Sequence, residues 1–154
     1  MSNYYFDASA LVKRYVDEEG SIWVRQVTNA QAQNSIMVAE ITLAEVAAAF
    51  AAQGRAPKGT TEQQRDRAVS RFLQDCHEHF LLLPIDRLII DRAVELTQKY
   101  RLRGYDAVQL AAALVTNGTL IAHGLSSLVF VAADKDLLKA ASAENLPVEN
   151  PLQQ

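Results

Sequence analysis

The chain has a single cysteine, Cys76, among 154 residues. It therefore forms no internal disulfide and offers no thiolate cage for a structural metal, and a reducing cytoplasm is the expected setting. Histidine is nearly as scarce, with 3 in all. His77 and His79 flank Glu78, but two-residue spacing on a helix sets their side chains about 200° apart, which excludes a shared zinc ion. His123 falls in a turn pattern. Excess positive charge is also missing: 15 Lys and Arg stand against 18 Asp and Glu, a net charge of −3. That excludes a wholly basic, nucleic-acid-coating protein but not a local basic rim. No Ser-His-Asp arrangement, P-loop, internal repeat or low-complexity stretch occurs. The segment Met1 to Asp7 lacks the basic region and apolar length of a secretory signal.

One run stays uncharged for 27 residues, Ala107 to Ala133. Its length would suit a membrane helix. Thr116-Asn117-Gly118-Thr119, His123-Gly124 and Ser126-Ser127 interrupt it. It is expected to divide into a buried helix, a turn-rich middle and a short strand, with no membrane association.

What is present is the mix of a globular domain, 49% hydrophobic and 21% charged. A chain this long buries roughly 70% of its unfolded surface and needs no staple. One domain over 1–150 is expected, with Pro151-Leu152-Gln153-Gln154 as a loose tail. Short apolar runs alternate with helical patterns. Tyr4–Phe6, Ser35–Val38, Phe80–Ile85 and Leu128–Val131 read as strands, and Pro147-Val148 as a short last one. Helices are expected over Ala8–Val16, Ile22–Val27, Ala39–Ala52, Thr61–His77, Arg87–Tyr100, from Asp106 onward, and over Asp136–Ala143. Trp23 reads as core or subunit surface. Strands alternating with helices imply βαβ units, hence a three-layer α/β/α sandwich around a mostly parallel sheet.

Ligands of such sheets bind beyond the carboxyl ends of the strands. Asp7 ends the first strand, in Tyr5-Phe6-Asp7-Ala8-Ser9, and Asp134 follows the fourth, in Val131-Ala132-Ala133-Asp134. Each also precedes a helix, so each also reads as a helix cap. Glu45 is more telling. Its same-face neighbours are Ile41, Thr42, Ala48 and Ala49, and Arg25 is the one cation between Ile22 and Phe50. A carboxylate on an apolar face is costly unless paired or metal-bound. Glu40, the competing acid, lies about 140° around the helix. Asp106 opens a long alanine-rich helix, where the macrodipole favours a carboxylate. If Asp7, Glu45, Asp106 and Asp134 converge, mutual repulsion raises their pKa values, and a hard divalent cation resolves it. An all-oxygen set suits Mg²⁺ or Mn²⁺, with a metal-bound water as nucleophile toward a phosphodiester.

Four segments in this order resemble the PIN-domain family, in particular its VapC-type toxins of bacterial toxin–antitoxin pairs. They are Tyr5 to Lys13, Thr42 with Glu45, Asp106 to Ala113, and Phe130 to Leu138. The resemblance spans nearly the whole chain and implies a metal-dependent endoribonuclease using Mg²⁺ or Mn²⁺. It maps Asp7, Glu45, Asp106 and Asp134 onto the family's acids and Ser9 onto its small hydroxyl residue. Thr42 and Asp136 stand as auxiliary residues. It also implies a homodimer and an antitoxin whose tail occupies the acidic groove. The segment Thr116 to Ser127 is longer than the family pattern leads one to expect.

An RNA substrate must bind despite the net charge. Gly54 to Arg71 carries Arg55, Lys58, Arg65, Arg67 and Arg71 against Glu62 and Asp66, although a solvated helix face accounts for most of these. Lys13, Arg14, Arg101, Arg103 and Lys135 flank the acids, and Lys13, Arg14 and Arg103 are expected to rim the RNA groove. Three other readings stay open: a housekeeping nuclease, a PIN-like fold used only for binding, and a Mg²⁺-binding phosphoacceptor domain. The last would require Asp86 to end a middle strand, and it leaves Glu45 unexplained.

Overall fold

Five parallel strands run in the order β3-β2-β1-β4-β5. They are β1 (Asn3–Phe6), β2 (Ser35–Ala39), β3 (Leu81–Leu83), β4 (Leu128–Val131) and β5 (Val148–Glu149). The computed structural model describes all residues, Met1–Gln154. Seven helices connect and cover the strands: α1 (Ala8–Leu11), α2 (Ser21–Val27), α3 (Ile41–Arg55), α4 (Glu62–Glu78), α5 (Arg87–Lys99), α6 (Gly104–Ala122) and α7 (Lys135–Ala143). The expected α/β/α sandwich is what the chain forms.

Its layering follows from strand alternation. Successive side chains point to opposite faces of a sheet. Tyr5, Met37 and Phe130 enter a core shared with α5, α6 and α7. Their neighbours Phe6, Val38 and Val131 enter a second core with Leu11, Val24, Val46, Phe50 and Phe72. Both faces are covered, so the central strands are apolar throughout. The Tyr5 and Phe130 rings stack at 5.5 Å across β1 and β4. Truncating one such side chain costs about 3–5 kcal/mol.

Caps set several boundaries. Thr61 opens α4 with a capping box, its hydroxyl accepting from the Gln64 N–H while the Gln64 side chain accepts from the Thr61 N–H. Asp86 caps α5 by accepting from the Ile89 N–H. It follows β3, which lies at the sheet edge rather than in the middle, and that removes the phosphoacceptor reading. β3 is also shorter than the expected Phe80–Ile85, and Leu81 is 54% exposed on the free edge.

Three other expectations are corrected. The helix after β1 ends at Leu11 and tightens into a 3-10 turn over Val12–Arg14. The turn-rich middle is shorter than expected: α6 runs unbroken through Thr116-Asn117-Gly118-Thr119 to Ala122, and the chain turns only over His123–Ser127. Val115 and Leu120 pack on the core, and the Asn117 carbonyl accepts from the Leu128 N–H and the Ser127 hydroxyl, so tertiary contacts override the local turn signals. The last residues are not loose either. Pro151–Gln153 forms a 3-10 turn, and Pro151 is buried where a side chain at Gly20 would collide with it. No helix is long and apolar enough to cross a membrane.

Candidate active site

The strand order reverses between β1 and β4, and this switch point is where an open parallel sheet leaves a crevice at its carboxyl edge. Phe6 pairs with Val131 there, and the Asp7 N–H donates to the Val131 carbonyl at 3.1 Å. Asp7 and Asp134 therefore leave neighbouring strands on the same edge. Both do cap helices: the Asp7 carboxylate accepts from the Ala10 N–H at 3.0 Å and Asp134 from the Leu137 N–H at 2.9 Å. Capping and site-building are one placement, since a strand-to-helix turn aims its cap into the crevice.

Ser9 fixes the corner. Its hydroxyl lies 2.7 and 2.9 Å from the two Asp7 carboxylate oxygens and accepts from the Ala133 N–H at 2.9 Å, tying the β1–α1 turn to the β4–α7 turn. Asp7 is only 5% exposed. Burial pushes its carboxyl up to about 7. The hydrogen bonds from Ser9 and Ala10 oppose that rise, and the Glu45 and Asp106 charges add to it.

Glu45 reaches the site from α3, and Asp106 from the first turn of α6. Burial raises the Glu45 carboxyl; a hydrogen bond from Gln109 lowers it, Asp106 raises it, and Arg103 lowers it. The Arg103 guanidinium donates from Nε to Asp106 at 3.1 Å, and it also feels Asp134 and Glu45. Asp106, Asp134 and Asp136 line one cavity of about 270 Å³ with Arg101, Leu102 and Arg103. The four acids singled out in the sequence thus gather at one end of the sheet. Arg103 is the one cation that ion-pairs with any of them.

The auxiliary residues fall on both sides of this cavity. Thr42 is fully buried beneath Glu45, while Asp136 is exposed at the cavity and lies 4.0 Å from Lys139. Two of the three expected groove cations are committed elsewhere. Lys13 is buried and paired with Glu18 at 3.0 Å, and Arg14 is held by Asp75 at 2.8 Å and Thr28 at 2.9 Å. Arg103 does project, with its side chain 84% exposed.

Sequence reasoning missed Gln109. Its amide nitrogen donates to the Glu45 carboxylate at 2.7 Å and the Thr42 hydroxyl at 2.8 Å, and its carbonyl accepts from the Tyr5 hydroxyl at 2.6 Å. The signal was present: Gln109 is the one polar residue between Ala107 and Leu114, and a polar group in a buried helix needs partners.

As they stand, no three carboxylates close into a ready-made metal cage. Each has its own hydrogen-bond partner: Asp7 the Ser9 hydroxyl, Glu45 the Gln109 amide, Asp106 the Arg103 guanidinium, Asp134 the Leu137 N–H. The donor chemistry nevertheless fits a hard divalent cation. All donors are oxygens, the cluster is under-neutralised, and Mg²⁺ takes only one or two carboxylates directly while keeping its waters.

The PIN domain family model matches residues 4–143. No curated protein matches the sequence. Three solved structures are similar over nearly their whole length. VapBC2 from Rickettsia felis, bound to a DNA fragment from its promoter, is 15% identical with a TM-score of 0.64, covering 96% of this chain and 98% of that one. FitAB bound to an IR36 DNA fragment is 16% identical with a TM-score of 0.61, covering 97% and 95%. A toxin–antitoxin complex from Klebsiella pneumoniae is 24% identical with a TM-score of 0.52, covering 96% and 97%. At these identities the likeness speaks for the fold, and with the family match over residues 4–143 the conclusion is plain: the chain belongs to the PIN domain family.

Proposed function

We propose that this chain is a metal-dependent endoribonuclease that uses Mg²⁺ or Mn²⁺ and acts as the toxin of a toxin–antitoxin pair. The observation that carries the reading is the gathering of Asp7, Glu45, Asp106 and Asp134 from separate elements with only Arg103 ion-paired to any of them. A fold needs no such concentration of like charge, and it is costly unless a cation is to be held.

In this reading Asp7, Glu45, Asp106 and Asp134 would hold the ion, one or two directly and the rest through its waters, and it would supply an activated water and offset charge on the phosphoryl oxygen. Ser9 holds the Asp7 carboxylate in place from both oxygens. Gln109 holds Glu45 through one oxygen and leaves the other free for the crevice. Arg103 releases Asp106 and turns its planar donors toward a substrate phosphate, a role its exposure allows. Lys13 and Arg14 are left out of the RNA contact, because their charges are spent on Glu18 and Asp75. The toxin role, the antitoxin and the homodimer rest on the family resemblance, and the similar toxin–antitoxin complex from Klebsiella pneumoniae supports the antitoxin partner.

Incubating the protein with single-stranded RNA and Mg²⁺ or Mn²⁺ tests the activity. Cleavage that EDTA abolishes is expected; cleavage indifferent to EDTA rejects the mechanism. Growth arrest on expression, relieved by a co-expressed partner, separates a toxin from a housekeeping nuclease.

A further inference from the structure

Of the fifteen Lys and Arg side chains, nine hold an ion pair and six do not: Arg55, Lys58, Arg67, Arg71, Arg101 and Lys135. Arg101 and Lys135 stand near the acids. The other four are exposed and crowd one corner, where α3 ends and α4 begins. Lys58, Arg67 and Arg71 line a cleft of about 680 Å³ there.

The acids around this cleft are spoken for. Asp17 is paired with Arg25 at 2.7 Å and Glu18 with Lys13 at 3.0 Å, while Arg65 neutralises Asp66 at 3.1 Å. The cleft's negative charges are cancelled and three of its positive ones are not. On a chain of net charge −3 that is a local excess with no structural use.

The corner is built to hold its shape. Lys58 adopts the left-handed region with φ 57°, which a lysine seldom occupies. The next residue must be glycine, because a Cβ on Gly59 would collide with the Gln53 carbonyl. Such a conformation survives only where the surroundings fix it, and here it displays an unpaired ammonium.

We propose that this cleft is a second RNA contact, gripping the phosphate backbone of a strand whose scissile bond lies at the acids. The proposal rests on the nuclease reading above. α3 spans the two places: Glu45 stands at the site and Arg55 at the corner, about 15 Å apart by helical rise. Phosphates are repelled by the acidic centre and need a grip beyond it. A protein segment would want large exposed apolar anchors; of the cleft's apolar residues Phe50 is buried and Tyr15 and Val16 are half-buried, and Leu73, the exposed aliphatic residue of α4, does not line it.

The test uses the full chain and a labelled, unstructured single-stranded RNA, with binding measured in EDTA across a salt series. The Lys58→Gln, Arg67→Gln, Arg71→Gln triple variant is expected to bind about ten-fold more weakly at low salt. Its log–log salt slope should be shallower by about 2, from ~0.7 per lost phosphate contact. Arg87→Gln, on α5, should behave as wild type. Thermal unfolding confirms that the variant folds, since all three positions are exposed. With Mg²⁺, cleavage of a dinucleotide too short to leave the acids should be unchanged, while KM for the long RNA rises. An unchanged affinity and slope overturn the proposal, as does loss of binding to an acidic leucine-rich peptide with RNA binding kept. If the wild type grips RNA through the cleft but cleaves none, the nuclease reading fails and the cleft stands.

Discussion

Gln109 donates to the Glu45 carboxylate at 2.7 Å while accepting from the Tyr5 hydroxyl at 2.6 Å, so a buried amide on α6 ties the central strand to the acid on α3. Replacing it with Leu strands the Tyr5 hydroxyl and removes Glu45's support. Each unsatisfied buried group costs about 1–3 kcal/mol. Gln109→Leu is expected to lower Tm by roughly 3–10 °C, read by thermal denaturation, and to weaken Mn²⁺ binding more than Thr42→Val does.

Asp7 carries a stability penalty at neutral pH. Its folded pKa of about 7 lies above the ordinary aspartate value, so its contribution is full in acid and is lost as pH rises toward 7. Asp7→Asn removes the cost. In chelator at pH 8 the variant should be more stable than wild type by up to about 3 kcal/mol, and the gain should vanish near pH 4. Denaturant titrations at the two pH values measure it.

A divalent ion should reverse that penalty by binding only the folded state. Millimolar Mn²⁺ is expected to raise the wild-type Tm by several degrees, and Asp7→Asn and Glu45→Gln should lose most of the rise. Differential scanning with and without EDTA decides it. An equal rise in both variants would place the ion elsewhere.

Arg14 separates structure from substrate contact. Burial pushes the Asp75 carboxyl up, but hydrogen bonds from Arg14 and Tyr15 and the Arg14 charge outweigh it and leave the group below its ordinary range. The pair's stability is therefore present above the unfolded chain's carboxylate range and fades as pH falls through and below it. Arg14→Ala should cost about 1–3 kcal/mol at pH 7, less in acid, without altering the salt slope of RNA binding. Arg103→Gln should do the opposite, leaving stability intact and weakening RNA binding.

The parts of the site that sequence exposes are those whose local surroundings already look wrong. Asp7 and Asp134 end apolar strands, and Glu45 sits on an alanine face, so each is visible without its neighbours. The sandwich follows from the same alternation of apolar runs and helices. What stays hidden depends on distant partners. Arg14 stands a few residues from Asp7, yet its charge is taken by Asp75, 61 positions away. The Thr116–Thr119 stretch carries every local sign of a turn, and only the packing of Val115 and Leu120 and the Asn117 bond to Leu128 keep it helical.

Single-turnover cleavage of single-stranded RNA in Mn²⁺, wild type against Asp106→Asn, tests the central claim most directly. The expected result is a rate loss of about 100-fold or more in the variant, with RNA binding in EDTA retained. Equal rates in the two proteins would contradict it.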